Sequence, residues 1–218
     1  EIAPLSSILL AELIEEAGFP PGVFNLVNGD GAGVGTQLST HPDVDMVSFT
    51  GSTRAGALIT KAAADSVKRV SLELGGKGAN VIFADSPDDA VKRGVRHCFQ
   101  NTGQSCNAPT RMLVEASIYD QAVETATKVA AQTTVGPASE DGRHIGPVVS
   151  DVHWTKIQGL IQDGIDEGAR VIAGGTGKPD GMNAGYFVKP TIFADVTNDM
   201  KIAREEIFGP VLAMIPFK

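Results

Sequence analysis

Short apolar segments alternating with helical repeats constrain the fold of this chain more than any other feature. Strand-like stretches recur around 45–49, 69–74, 79–84, 110–115, 169–173, 186–194 and 211–217, with a further short one at Val23-Phe24-Asn25-Leu26-Val27. Helical patterns lie between many of them. One opens at Pro4 and Ser6, carries Ile8, Leu9, Leu10, Leu13 and Ile14, and stops at Gly18 before Pro20-Pro21. Another begins near Pro87 and includes Val91, Val95 and Phe99; a third, over 151–166, repeats Val152, Trp154, Ile157, Leu160, Ile161 and Ile165. A helix inserted between two strands carries the chain back across the sheet, so the second strand runs parallel to the first, and an α/β architecture with largely parallel sheets is predicted. The stretch 28–35 is too rich in glycine for regular structure, and 136–147 and 174–185 read as surface loops.

Charge narrows the classes of function. The chain has 26 acidic against 18 basic residues, a net charge of −8 and no run of Lys or Arg, which argues against nucleic acid as a partner. No apolar stretch approaches the ~20 residues that cross a bilayer, and Glu1-Ile2-Ala3-Pro4 lacks the basic start of a signal peptide, so a cytosolic location away from membranes is expected. Cys98 and Cys106 are too few for a disulfide framework and have no zinc-type partners; His41, His97, His144 and His153 form no metal-binding spacing, so no metal is expected.

Three constellations could carry chemistry. Phe49-Thr50-Gly51-Ser52-Thr53 follows the strand-like Val44-Asp45-Met46-Val47-Ser48 and precedes a helical run from Ala55, an arrangement that aims backbone N–H groups at a phosphate. The same residues equally make a capped strand–helix turn. Glu73-Leu74-Gly75-Gly76-Lys77 ends the apolar strand Val70-Ser71-Leu72; a carboxylate desolvated there would act as a base, while one paired with Lys77 or Lys68 would not. Finally, Gln100-Asn101-Thr102-Gly103-Gln104-Ser105-Cys106 places a cysteine in a polar, glycine-containing segment, where a thiol is more reachable than in a core, whereas Cys98 lies on a helix and reads as a small buried hydrophobe.

Together with Glu205-Glu206-Ile207-Phe208-Gly209-Pro210-Val211, these motifs, in this order, resemble the aldehyde dehydrogenase superfamily over the whole of 1–218. The resemblance implies Cys106 as nucleophile and Glu73 as the general base that activates the deacylating water. It implies that Glu1, Gly51, Ser52, Leu74, Glu206 and Phe208 contact the cofactor, NAD with NADP possible, and that the Cys106 N–H forms half of an oxyanion hole. It implies a Rossmann-like cofactor domain, of which 1–75 is the C-terminal part, followed by a catalytic domain over 76–218. Family members begin well upstream and continue past Lys218, so a partial chain of a homodimeric or homotetrameric enzyme acting on a small aldehyde is expected. The alternatives are an acylating dehydrogenase and an inactive fragment.

Overall fold

The computed structural model describes residues 1–218, and the chain divides between Gly75 and Gly76 into two units. The first unit opens with helix α1 (Leu5–Glu16), closed by Gly18 at φ +80°, whose N–H bonds the Glu15 carbonyl. No residue of α1 is buried, and Leu5, Leu9, Leu10 and Leu13 are each more than half exposed. The segment 23–27 is not a strand. A strand is stable only when a neighbour pairs its N–H and C=O groups, and no ladder reaches this one. The glycine-rich stretch is more regular than its composition implies: the Asp30 carboxylate accepts the Gly33 N–H at 2.6 Å and starts a wide helical turn (Gly31–Gly35) that runs into α2 (Thr36–Thr40).

Strand β1 (Met46–Gly51), helix α3 (Thr53–Ala63) and strand β2 (Arg69–Leu74) then form a βαβ unit with its two strands parallel. Ser52 is the N-cap of α3, its Oγ accepting from Ala55 N at 3.3 Å. Gly56 lets that helix lie close on the sheet, because a Cβ there would stand 2.9 Å from Leu74 Cδ2.

The second unit holds the core. Its strands are β3 (Ala79–Ile82), β4 (Arg111–Glu115), β5 (Arg170–Ala173), β6 (Thr191–Ala194) and β7 (Val211–Phe217), in spatial order β3-β4-β7-β6-β5. All neighbours are parallel except the edge pair β5–β6. Helices α4 (Ala90–Phe99) and α5 (Tyr119–Ala131) cover one face, and α6 (Asp151–Asp166) and α7 (Lys201–Arg204) the other.

This three-layer arrangement explains the unbroken apolar run of β7. Leu212 and Met214 join the cluster made with Val95, Phe99 and Ala126, while Val211, Ala213 and Ile215 join that of Ile157, Ile161 and Ile202. Side chains alternate between faces, so a strand covered on both sides must be apolar throughout. Each such Leu, Ile or Met contributes about 1.5–3 kcal/mol by leaving water.

Two strands are shorter than their sequence patterns. β6 starts only after Pro190, which has no N–H to give the ladder. β3 stops at Ile82 because the next two N–H groups turn elsewhere, Phe83 to Ser86 Oγ (3.0 Å) and Ala84 to a Glu115 carboxylate oxygen (2.8 Å).

Candidate functional site

In the first unit, strand register brings two of the motifs side by side. Thr50 pairs with Glu73 and Gly51 with Leu74, so Gly51, Ser52, Glu73 and Leu74 share the carboxyl edge of the β1–β2 pair, where open α/β sheets receive ligands. The α3 N-terminus opens at the same edge and favours an anion. Ser52 is exposed, and its hydroxyl oxygen already serves the cap. Glu73 is exposed as well, on a strand that alternates exposed and partly buried positions, so the continuous apolar setting inferred for it is not found within this unit. Of its suspected lysine partners, Lys68 Nζ bonds the His41 carbonyl at 2.6 Å, and Lys77 Nζ has no hydrogen-bond partner.

In the second unit the motifs gather at the opposite, amino-terminal edge of the sheet. Residues 76–78 lead into β3, Cys106 lies shortly before β4, and 205–210 lead into β7; because β3, β4 and β7 are parallel neighbours, the three approaches lie side by side. Gly103 couples two of them. It sits at φ +71°, and a Cβ there would fall 2.0 Å from the Gly209 carbonyl oxygen. Asn101 (φ 49°) and Thr102 (φ 56°) precede it in the same left-handed region. That conformation costs a non-glycine residue on the order of 1 kcal/mol. Hydrogen bonds offset the cost: Thr102 Oγ1 donates to the Gly146 carbonyl (3.0 Å), Asn101 Nδ2 to Gln104 O (2.9 Å), and Val149 N donates to Gln104 Oε1 (2.9 Å). Pinned in this way, the loop delivers Cys106 to the surface as an exposed free thiol.

The 205–210 segment is held as firmly. Gly76 N donates to Glu206 Oε1 at 3.2 Å, Lys156 Nζ to Glu206 O at 3.0 Å, and His153 Nε2 bonds Phe208 O at 2.6 Å. One carboxylate oxygen of Glu206 therefore remains to accept from a ligand hydroxyl.

Behind these loops lie two groups with displaced pKa values. Desolvation lowers the Lys77 ammonium to about 8, with Arg111 adding to the fall and Cys98 and Glu206 opposing it. Its Nζ is shielded from water and has no hydrogen-bond partner. Burial pushes the Cys98 thiol up to about 12, so Cys98 is a packing residue of the core, whose Sγ donates a weak hydrogen bond to the Val211 carbonyl at 3.7 Å.

A family model described as the aldehyde dehydrogenase family matches residues 1–218, the whole chain. The chain belongs to this family. It is 56% identical over 218 residues to a 3-succinoylsemialdehyde-pyridine dehydrogenase from a Pseudomonas species, covering 100% of this chain and 46% of the relative. Among solved structures, an aldehyde dehydrogenase from Bartonella henselae matches at TM-score 0.99 and 65% identity, over 100% of this chain and 46% of that one. Aldehyde dehydrogenase C from Pseudomonas syringae, a mutant in complex with NAD+ and octanal, matches at TM-score 0.97 and 46% identity, over 99% of this chain and 45% of that one. The chain thus spans about half the length of the relatives it matches.

Of the site residues that the family resemblance implies, Gly51, Ser52, Glu73 and Leu74 share one sheet edge of the first unit, and Cys106, Glu206 and Phe208 one edge of the second. Glu1 stands apart, exposed ahead of α1. His153 and Lys156, which clamp the 205–210 segment, are not singled out by sequence. Their only signal is a position three residues apart in the first turns of a helix capped by Ser150, and nothing along the chain ties that helix to Phe208. No helix is long and apolar enough to cross a membrane.

Proposed function

We propose that the full-length protein carrying this chain is an NAD-dependent aldehyde dehydrogenase that oxidises an aldehyde to a carboxylic acid, with Cys106 as nucleophile and Glu73 as general base. The observation that carries this reading is the pinned loop that presents a free cysteine at the surface, packed through Gly103 against the segment bearing Glu206 and Phe208. Residues 1–75 are read as part of the cofactor domain and 76–218 as catalytic domain. The apolar side chains exposed on the first unit support a chain that works within a longer protein.

The residues fit NAD. The α3 N-terminus beside Gly51 and Ser52 suits a pyrophosphate, Glu206 has an oxygen to spare for a ribose hydroxyl, and Phe208 offers a ring for the nicotinamide. Glu1 would bond a free 2′-hydroxyl and repel a 2′-phosphate, which favours NAD over NADP. When bound, the nicotinamide supplies a hydride acceptor.

The Cys106 thiolate adds to the aldehyde carbon, forming a C–S bond and an oxyanion that its own backbone N–H helps to stabilise. As the C=O bond re-forms, the carbon loses hydride and Cys106 is left as a thioester. No leaving group needs a proton at that step, so a cysteine and a carboxylate suffice. Glu73 then takes a proton from water as the water oxygen attacks the thioester, and the tetrahedral adduct expels the Cys106 thiolate and releases the acid.

Glu73→Gln and Cys106→Ala in the full-length protein test these roles. Glu73→Gln is expected to release one burst of NADH per active site and then turn over very slowly, with an acyl group on the peptide containing Cys106; Cys106→Ala is expected to give neither. Normal turnover by Glu73→Gln, or an adduct on Cys98, overturns the assignment.

A further inference from the structure

The first turns of α6 touch, at three points, the segment that the proposed function assigns to the nicotinamide end of the cofactor. Lys156 Nζ reaches Glu206 O, His153 Nε2 reaches Phe208 O at 2.6 Å, and Ile157 packs so close to Gly209 that a Cβ there would lie 2.7 Å from its Cδ1. His153 makes a second contact with the same residue, its ring meeting the Phe208 ring edge-on at 6.0 Å between centroids and 65° between planes.

Phe208 needs such support. It lies at φ 59°, a left-handed conformation that a bulky side chain rarely adopts unless its surroundings impose it. Phe208 lies between Glu206 and Gly209, and its backbone conformation decides where the Glu206 carboxylate and the Phe208 ring stand relative to each other. A carbonyl oxygen only accepts, so the proton of the short His153–Phe208 bond is on Nε2. The ring itself is placed by the helix start: Ser150 Oγ accepts the His153 N–H at 3.2 Å, which fixes His153 three residues into the helix, facing the loop.

We propose that His153 is a positioning residue of this enzyme: by bonding the Phe208 carbonyl while abutting its ring, it holds Phe208 left-handed and so sets the geometry in which Glu206 and Phe208 receive the nicotinamide riboside. It acts through the loop and does not touch the reacting atoms. The inference rests on the cofactor reading given above, and it adds a residue that carries no part of that chemistry.

Two replacements of like size separate hydrogen bonding from packing in the full-length protein. His153→Gln keeps an N–H donor at similar reach, and His153→Met removes it. Hydrogen exchange of the peptide spanning 205–210, measured without NAD+, is expected to quicken about tenfold in His153→Met, the ratio that loss of one well-formed hydrogen bond gives, and to stay within about threefold of wild type in His153→Gln. Exchange across 111–115 should be the same in all three proteins. The NAD+ dissociation constant, read from protein fluorescence, should follow the same order, weakest for His153→Met.

Equal exchange in wild type and His153→Met, or a His153→Gln protein as loose as His153→Met, overturns the proposal. So does unchanged NAD+ affinity in a His153→Met protein whose loop exchanges faster. A wild-type protein that binds no NAD+ refutes the proposed function instead, and the exchange comparison, made without cofactor, still decides whether His153 holds the loop.

Discussion

Replacing Lys77 by Met exchanges a buried ammonium without a partner for an apolar chain of similar length. Burial lowers the folded-state pKa of Lys77 to about 8 from an ordinary 10.5, so the folded protein holds this proton more weakly than the unfolded chain does. At pH 7 the group is charged in both states, and the shift corresponds to roughly 3 kcal/mol that wild type loses by folding around the charge. The penalty is fully present below about pH 8 and fades as the proton leaves the unfolded chain as well, so wild-type stability rises with pH between about 8 and 10.5. Lys77→Met has no such dependence, although it gives up the attraction of the charge to Glu206. The variant is therefore expected to be more stable than wild type at pH 7 by about 1–3 kcal/mol, with the difference shrinking by about 2.5 kcal/mol by pH 10. Urea unfolding followed by fluorescence of Trp154, which lies in the same unit, measures both values, and subtracting the two proteins cancels every other titrating group. A variant less stable than wild type at pH 7, or a difference that does not change between pH 7 and 10, would refute the reasoning, because it would mean that the ammonium has a partner.

Two further outcomes follow from the loops beside it. In native protein at pH 8, iodoacetamide should label Cys106, exposed as a free thiol, and leave Cys98, whose thiol burial raises to about 12; peptide mass mapping checks this, and comparable labelling of Cys98 would contradict its burial. Gly103→Ala should destabilise by at least ~3 kcal/mol, since the new Cβ meets the Gly209 carbonyl in a left-handed backbone; thermal unfolding measures it, and a loss under ~1 kcal/mol would mean that the two loops are not packed as described.

The α/β class, the helices over 5–16 and 151–166, and the strands flanking the motifs were legible in the sequence because each depends on local periodicity and on caps such as Ser52 and Ser150. So was the contrast between an exposed Cys106 and a buried Cys98, which follows from a polar glycine-containing loop and a helix face; the catalytic roles proposed for Cys106 and Glu73 rest on the family resemblance of short motifs. The segment 23–27 misled because a strand exists only with a partner, and the 186–194 pattern overran Pro190 for want of a ladder donor.

What tertiary structure alone decided is which motifs meet. Strand register sets Thr50 and Gly51 beside Glu73 and Leu74, and the parallel order β3-β4-β7 gathers 76–78, Cys106 and 205–210 at one edge. The left-handed backbone at Phe208 and its bond to His153, 55 residues away along the chain, belong to the same category. Periodicity and capping act over a few residues and are written in the order of side chains; a hydrogen bond across 55 residues depends on where two distant elements pack, and no local pattern encodes that.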